Sequence, residues 1–419
     1  MKSLLSLLLI IVIIPMMSVT KAQSEENGDR VYSGLENAVQ QDFEFLKGKR
    51  VGFITNQTAV TKDLQSAVDV MFAAQNVNLV ALFGPEHGVR GIEMAGDKIE
   101  DQVDPKTGLP VYSLYGSTRK PTPEMLEGLD ALVYDIQDIG VRSYTYISTM
   151  GLAMEAASES GLEFYVLDRP NPLGGERVSG VPTKPGFESF VSAFPIPYVY
   201  GLTPGELANM LVDEKIIDVK DGFSPTIIPL KNWTRDMTFM ETGLPWVPTS
   251  PHIPHPETSY YYVTTGVLGE LKMISEGVGT TIPFEYVGHE DLDALELAEA
   301  LRKMEIPGVL FRAAAMKPYY GRDEGKYLQG VQLVIEDFKN APLLELQFRI
   351  LEAIHQINPD FTVLDERTQR RHKMFDWVIG TDEVRKTFAK SYKYEDIEPI
   401  LMEGVKEFKE KSSEYYLYE

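Results

Sequence analysis

Leu79-Val80-Ala81-Leu82-Phe83-Gly84-Pro85-Glu86-His87-Gly88-Val89-Arg90-Gly91 runs from an unbroken apolar stretch straight into a carboxylate, an imidazole and a guanidinium set among three glycines. A short apolar run closed by Gly-Pro predicts a strand buried on both faces. The ionisable residues then hang off its carboxyl end, which is where open α/β sheets place their ligands.

Outward from that strand the same rhythm repeats. Apolar segments at 50–55, 77–83, 111–115, 131–136 and 164–167 read as strands. Helical patterns fall between them at 64–75, from Thr122-Pro123-Glu124 onward, and at 148–160. Parallel neighbours need crossover connections, so strands alternating with helices predict an α/β fold with a doubly wound, mostly parallel sheet. This first domain is expected over residues 30–200. A proline-rich passage, 182–204, leads into a smaller mixed α/β domain over 201–419, which opens with the helix start Thr203-Pro204-Gly205-Glu206. That domain is expected to hold a strand at 330–336, a helix at 344–357 and a stiff proline-rich loop at 246–256.

Bulk properties exclude several function classes. Residues 1–22 carry Lys2, an apolar run from Leu4 to Ile14 broken by Ser6, and the small-residue exit Thr20-Lys21-Ala22, the layout of a secretory signal cut after Ala22. Export to the periplasm or exterior is therefore expected, without membrane insertion once the signal is removed. The chain has no cysteine, which excludes disulfides, thiolate metal sites and a cysteine nucleophile. Its net charge of −22 disfavours a nucleic-acid partner. The first strand leads into Thr55-Asn56-Gln57-Thr58 without the glycines of a dinucleotide fold, so NAD and FAD are disfavoured. His252-Ile253-Pro254-His255 superficially resembles a metal pair, but its prolines forbid the helix that H-E-x-x-H chemistry requires. No cofactor and no metal are expected.

The strand ends supply the candidate chemistry. Asn56 follows the first; Glu86, His87 and Arg90 follow the second. In Asp135-Ile136-Gln137-Asp138-Ile139-Gly140-Val141-Arg142-Ser143-Tyr144-Thr145-Tyr146, acid, amide, guanidinium and two phenols combine hydrogen-bonding forks with flat apolar faces, a vocabulary suited to carbohydrate. The same acid and guanidinium could instead brace the loop as an ion pair. Asp168-Arg169-Pro170-Asn171-Pro172 stiffens the fifth strand end and fixes the directions of Arg169 and Asn171. Ser275-Glu276-Gly277 could bring a second carboxylate from the other domain.

These motifs in this order, with Gly34-Leu35-Glu36, Leu109-Pro110-Val111-Tyr112-Ser113-Leu114-Tyr115-Gly116 and Gly330-Val331-Gln332, resemble the NamZ-type exo-β-N-acetylmuramidases over nearly the whole mature chain. The resemblance implies a Rossmann-like first domain and a smaller second domain enclosing a cleft. It further implies a metal-independent glycoside hydrolase that releases N-acetylmuramic acid from non-reducing ends of peptidoglycan fragments. The family's Gly-Pro-Glu-His-Gly motif maps onto residues 84–88, with its glutamate, taken as catalytic, at Glu86. Glycoside cleavage needs a proton for the leaving oxygen and usually a second carboxylate. Glu86 is assigned the acid/base role, His87 tunes or orients it, and Asp135 or Asp138 is the partner. Asn56, Arg90, Gln137, Tyr144, Tyr146, Asn171 and Glu276 are expected to bind substrate, with Arg142 or Arg169 clamping the lactyl carboxylate. The substrate's 2-acetamido group could replace the second carboxylate as nucleophile. The alternative is an exported glycan- or muropeptide-binding protein without catalysis.

Overall fold

The computed structural model describes residues 30–91 and 102–419; the secretory signal expected over residues 1–22 lies outside them. A seven-stranded sheet is built from β1 (Arg50–Thr55), β2 (Asn78–Gly84), β3 (Gln102–Val103), β4 (Pro110–Ser113), β5 (Ala131–Asp135), β6 (Glu163–Leu167) and β7 (Thr226–Ile228). Its order is β3-β4-β2-β1-β5-β6-β7, parallel throughout except for β3 against β4. The chain winds outward from β1 in one direction and then, from β5, in the other. The doubly wound, mostly parallel sheet is thus present.

The sequence makes this sheet because its strands are apolar on both faces and each face has a helix layer to bury it. On one side Ile54, Phe83, Leu132, Tyr134, Phe164 and Val166 pack under α3 (Tyr146–Ser160) and α4 (Pro204–Asp213). On the other, Val51, Phe53, Leu82, Val133, Tyr165 and Leu167 pack under α1 (Gly34–Gln40) and α2 (Ala67–Ala73). Capping boxes start α1 at Ser33/Glu36 and α4 at Thr203/Glu206, each satisfying amide groups that a helix amino end leaves open.

Two expected helices differ. Residues 64–66 stay outside α2, because Leu64 adopts φ +59° and is exposed. The segment after Thr122 forms only turns, ended by Gly128 at φ +74°; Leu126 and Leu129 are buried without a regular helix. The boundary expected at 200 also shifts. β7 pairs in parallel with β6, and α4 covers the first sheet, so residues beyond 200 complete that unit. The chain end returns to it as well: the Tyr418 hydroxyl donates to Asp168 at 2.5 Å, and its ring meets Trp233 edge-on at 5.2 Å.

After a one-turn α5 (Phe239–Thr242), the second unit pairs β8 (Tyr286–His289), β9 (Val309–Met316) and β10 (Leu328–Ile335) in an antiparallel sheet ordered β8-β10-β9. Helices α6 (Thr258–Glu270), α7 (Ala294–Lys303) and α8 (Leu343–Ile357) contribute to its core, with α9 (Gln369–Ile379) beside α6. That core is continuous with the first unit. Ile139, Val141, Leu173 and Tyr198 pack in the same cluster as Tyr260, Leu268 and Leu344, so the seam is apolar and fixed. Among the described residues no helix is long and apolar enough to cross a membrane.

Candidate active site

The carboxyl ends of β2, β4 and β5 open onto a cleft of about 790 Å³ whose far wall comes from α6, α9 and the loops around His252 and Glu276. The β2 exit sets its floor. Leu114 N–H donates to Gly84 O at 2.8 Å, keeping β2 and β4 zipped to the edge, and Gly88 N–H donates to Pro85 O at 2.9 Å to close a turn. His87 takes φ +73°, a left-handed conformation that costs a residue bearing a Cβ about 1 kcal/mol or more and survives only where its surroundings fix it. His87 is buried, while Glu86 is half-buried and lines the cleft.

Tyr115, two residues past the end of β4, has its phenol beside Glu86. Burial, then the charge of Glu86, pushes the Tyr115 phenol well above its ordinary range, so it remains a donor. Phenols also build the inner wall. Tyr144 and Tyr146 meet edge-to-face at 5.0 Å, and Tyr262 from α6 meets Tyr144 at 6.0 Å. Their hydroxyls hold the proline-rich loop: Tyr144 donates to Thr249 Oγ1 at 2.8 Å and Tyr146 to Thr249 O at 2.6 Å.

The second unit contributes Glu276. Its side chain lies against Gly269 of α6, where a Cβ would come within 2.8 Å of Glu276 Cδ. Arg322 pairs with Glu276 at 3.2 Å. His252 stacks on Tyr320 at 5.9 Å, and burial, reinforced by the neighbouring His87, lowers its pKa below the ordinary histidine value. Among the described residues no group of three His, Asp or Glu side chains is arranged to hold a metal ion.

Of the residues expected at the site, Glu86, His87, Tyr144, Tyr146 and Glu276 line this cleft. The other eight do not, and their partners explain why. Asp135 and Arg169 form a buried fork, Nε to Oδ1 at 2.5 Å and Nη2 to Oδ2 at 3.0 Å, beneath the strand ends. Arg142 is fully buried and donates to the carbonyls of Val181, Ile196 and Val378, with burial pushing its pKa down to about 9. Neither arginine is therefore open to clamp a substrate carboxylate. Arg90 is occupied by Asp104 at 2.8 Å and Asp69 at 3.2 Å. Gln137 donates to Asp138 O and Pro170 O, both at 2.8 Å. Asn171 bridges Leu202 O and Leu173 N, each at 3.0 Å, and Asn56 accepts from Thr58 N and Oγ1 at 2.9 and 2.6 Å. These residues shape the strand ends.

Asp138 is the remaining one. It accepts from Gly140 N at 2.8 Å and from the Tyr200 hydroxyl, yet burial dominates and pushes its pKa up to about 6 from 3.8. A carboxyl whose folded pKa is raised stabilises the fold fully below its unfolded pKa, and that contribution is lost as pH rises through about 6. Asp138→Asn does not titrate, so its stability relative to the parent should rise by roughly 2 kcal/mol between pH 4 and 7. Unfolding midpoints measured in parallel across that range check this; a pH-independent gap would refute it.

Sequence reasoning did not assign cleft roles to Tyr115, Arg119, Tyr262, Glu270, His252 and Trp377. Tyr115 ends a strand, which was a usable signal. Trp377 sits on α9, far along the chain in a mostly polar helix, with no local mark of its role.

Acid-bearing strand ends of a parallel α/β sheet, a facing unit with further carboxylates, and aromatic walls between them define a glycosidase-type cleft. Comparison with known proteins makes the class specific. The family model described as exo-β-N-acetylmuramidase NamZ, N-terminal, matches residues 51–257, and its C-terminal counterpart matches residues 260–418. Peptidoglycan β-N-acetylmuramidase NamZ of Bacillus subtilis (strain 168) is 41% identical over 390 residues, covering 93% of this chain and 92% of the relative. A crystal structure of a DUF1343 family protein from Bacteroides fragilis NCTC 9343 is 48% identical, with a TM-score of 0.89 over 93% of this chain and all of the other. A second from the same organism is 28% identical, with a TM-score of 0.72 over 93% of this chain and 99% of the other. The chain belongs to the exo-β-N-acetylmuramidase NamZ family.

Proposed function

We propose that this chain is an exo-acting β-N-acetylmuramidase that releases N-acetylmuramic acid from non-reducing ends of peptidoglycan fragments, with Glu86 as its acid/base. The observation that carries the assignment of Glu86 is its position: a half-buried carboxylate at the β2 exit that lines the cleft beside the Tyr115 phenol. Cleavage requires a proton on the leaving glycosidic oxygen as positive charge builds on the sugar. Glu86 supplies that proton, and where the 2-acetamido group is the nucleophile it then accepts one from the water that opens the intermediate. Buried His87 holds the turn that presents it.

Asp135 is bound to Arg169 and Asp138 to Tyr200, away from the cleft, so the partner role passes to a carboxylate that lines it. Glu276, set by Arg322, takes that role, either by guiding water or by orienting the substrate's 2-acetamido group. The tyrosine wall gives a pyranose flat apolar contact. The leader-like residues 1–22 support export to the periplasm or exterior, where such a substrate lies.

A defined tetrasaccharide beginning with N-acetylmuramic acid at its non-reducing end tests the exo-character. The expected first products are free N-acetylmuramic acid and a trisaccharide. Two disaccharides as first products would overturn it.

A further inference from the structure

The proposed substrate carries a lactyl carboxylate, and both arginines expected to clamp it are buried in structural pairings. Resting on the functional reading above, we propose that Arg119, at the cleft mouth, reads this carboxylate and thereby distinguishes muramoyl from glucosaminyl residues.

Arg119 lies in the turn leaving β4, four residues after Tyr115, whose phenol lies beside Glu86. Gly116 opens this turn at φ +110°, and Pro121 restricts its far end. The guanidinium sits over the Phe190 ring, 4.1 Å from its centroid, and Phe190 in turn lies 6.5 Å from the Tyr115 ring. The cation–π contact restrains the guanidinium at the cleft mouth, and an arginine can bind a carboxylate with two parallel hydrogen bonds. Arg119 has no carboxylate partner among the described residues, in contrast to its neighbour Lys120, which is held by Glu155 at 3.1 Å and Glu159 at 2.8 Å. Arg90, Arg169 and Arg322 are likewise engaged.

Among the described residues Lys272 is the other Lys or Arg lining the cleft, on the opposite wall and next to His252. Arg119 is favoured because it leaves the same strand end as Tyr115, which lies beside the catalytic carboxylate, and because the Phe190 ring restrains its guanidinium. A point charge on a flexible stem has neither property. In a chain of net charge −22, a local cation is also what anionic substrate recognition requires.

The test compares a chromogenic N-acetylmuraminide with its lactyl methyl ester, for the parent, Arg119→Gln, Arg119→Lys and Lys272→Gln. The parent should prefer the free carboxylate, and Arg119→Gln should reduce that preference by about 10- to 100-fold, chiefly through KM. Arg119→Lys should restore part of it, and the preference should weaken with added salt, because Arg119 is exposed. Calorimetric binding of free N-acetylmuramic acid gives a readout independent of turnover: affinity should fall by a similar factor in Arg119→Gln. If the parent binds this acid but turns over neither substrate, the enzymatic reading fails while the binding comparison still decides the role of Arg119. Equal losses on acid and ester, an unchanged preference in Arg119→Gln, or loss confined to Lys272→Gln would overturn the proposal.

Discussion

Arg169→Met is expected to destabilise the protein by about 3–5 kcal/mol, because it leaves the fully buried Asp135 carboxylate without its counter-charge. The fork joins the ends of β5 and β6, neighbours in the sheet, and Arg169 also reaches Val60 O at 3.2 Å, so its loss loosens three segments under the site. Thermal unfolding should show a midpoint lower by several degrees or a loss of soluble protein. The double variant Asp135→Leu with Arg169→Met should recover part of the loss, since removing both charges removes the uncompensated one. Had Arg169 been a substrate clamp, the single substitution would raise KM and leave the midpoint unchanged, which is the result that would refute the structural role.

Glu86→Gln is expected to lower kcat by about 10²–10⁴-fold, the range general acid–base catalysis contributes. The amide keeps the size of the side chain and a carbonyl oxygen that still accepts hydrogen bonds, so unfolding midpoint and KM should change little. Loss concentrated in kcat marks a group acting in the transition state; a loss shared with stability would mark a residue that merely braces the turn. Because His87 is held in left-handed backbone beside it, the variant's turn should be checked through its melting profile before kinetics are interpreted.

The sheet was legible because strands buried on both faces are written as apolar runs, and β1 occupies the same residues, 50–55, that the pattern indicates. β7 was not, since three residues, Thr226–Ile228, carry no periodicity and owe their place to the edge of β6. At the site, the pattern located the strand ends and hence Glu86, but it could not say on which side of the sheet edge each ionisable group falls. Asp135 and Arg169 lie 34 positions apart and meet only because their strands become neighbours. Thr249, Arg322 and Trp377 reach the cleft or its walls by long-range packing that leaves no mark in local sequence. The two arginines expected to clamp the substrate carboxylate, Arg142 and Arg169, were plausible by residue type alone; burial and engagement with carbonyls and with Asp135 decided otherwise.

The most direct test is a time course of free N-acetylmuramic acid released from a disaccharide of N-acetylmuramic acid linked to N-acetylglucosamine, using the parent and Glu86→Gln at equal concentration and matched unfolding midpoints. The parent should release both sugars in equal amounts, and the variant should release them at least about 100-fold more slowly. Binding without turnover by the parent, or near-normal release by Glu86→Gln, would contradict the assignment of this cleft as a muramidase active site built on Glu86.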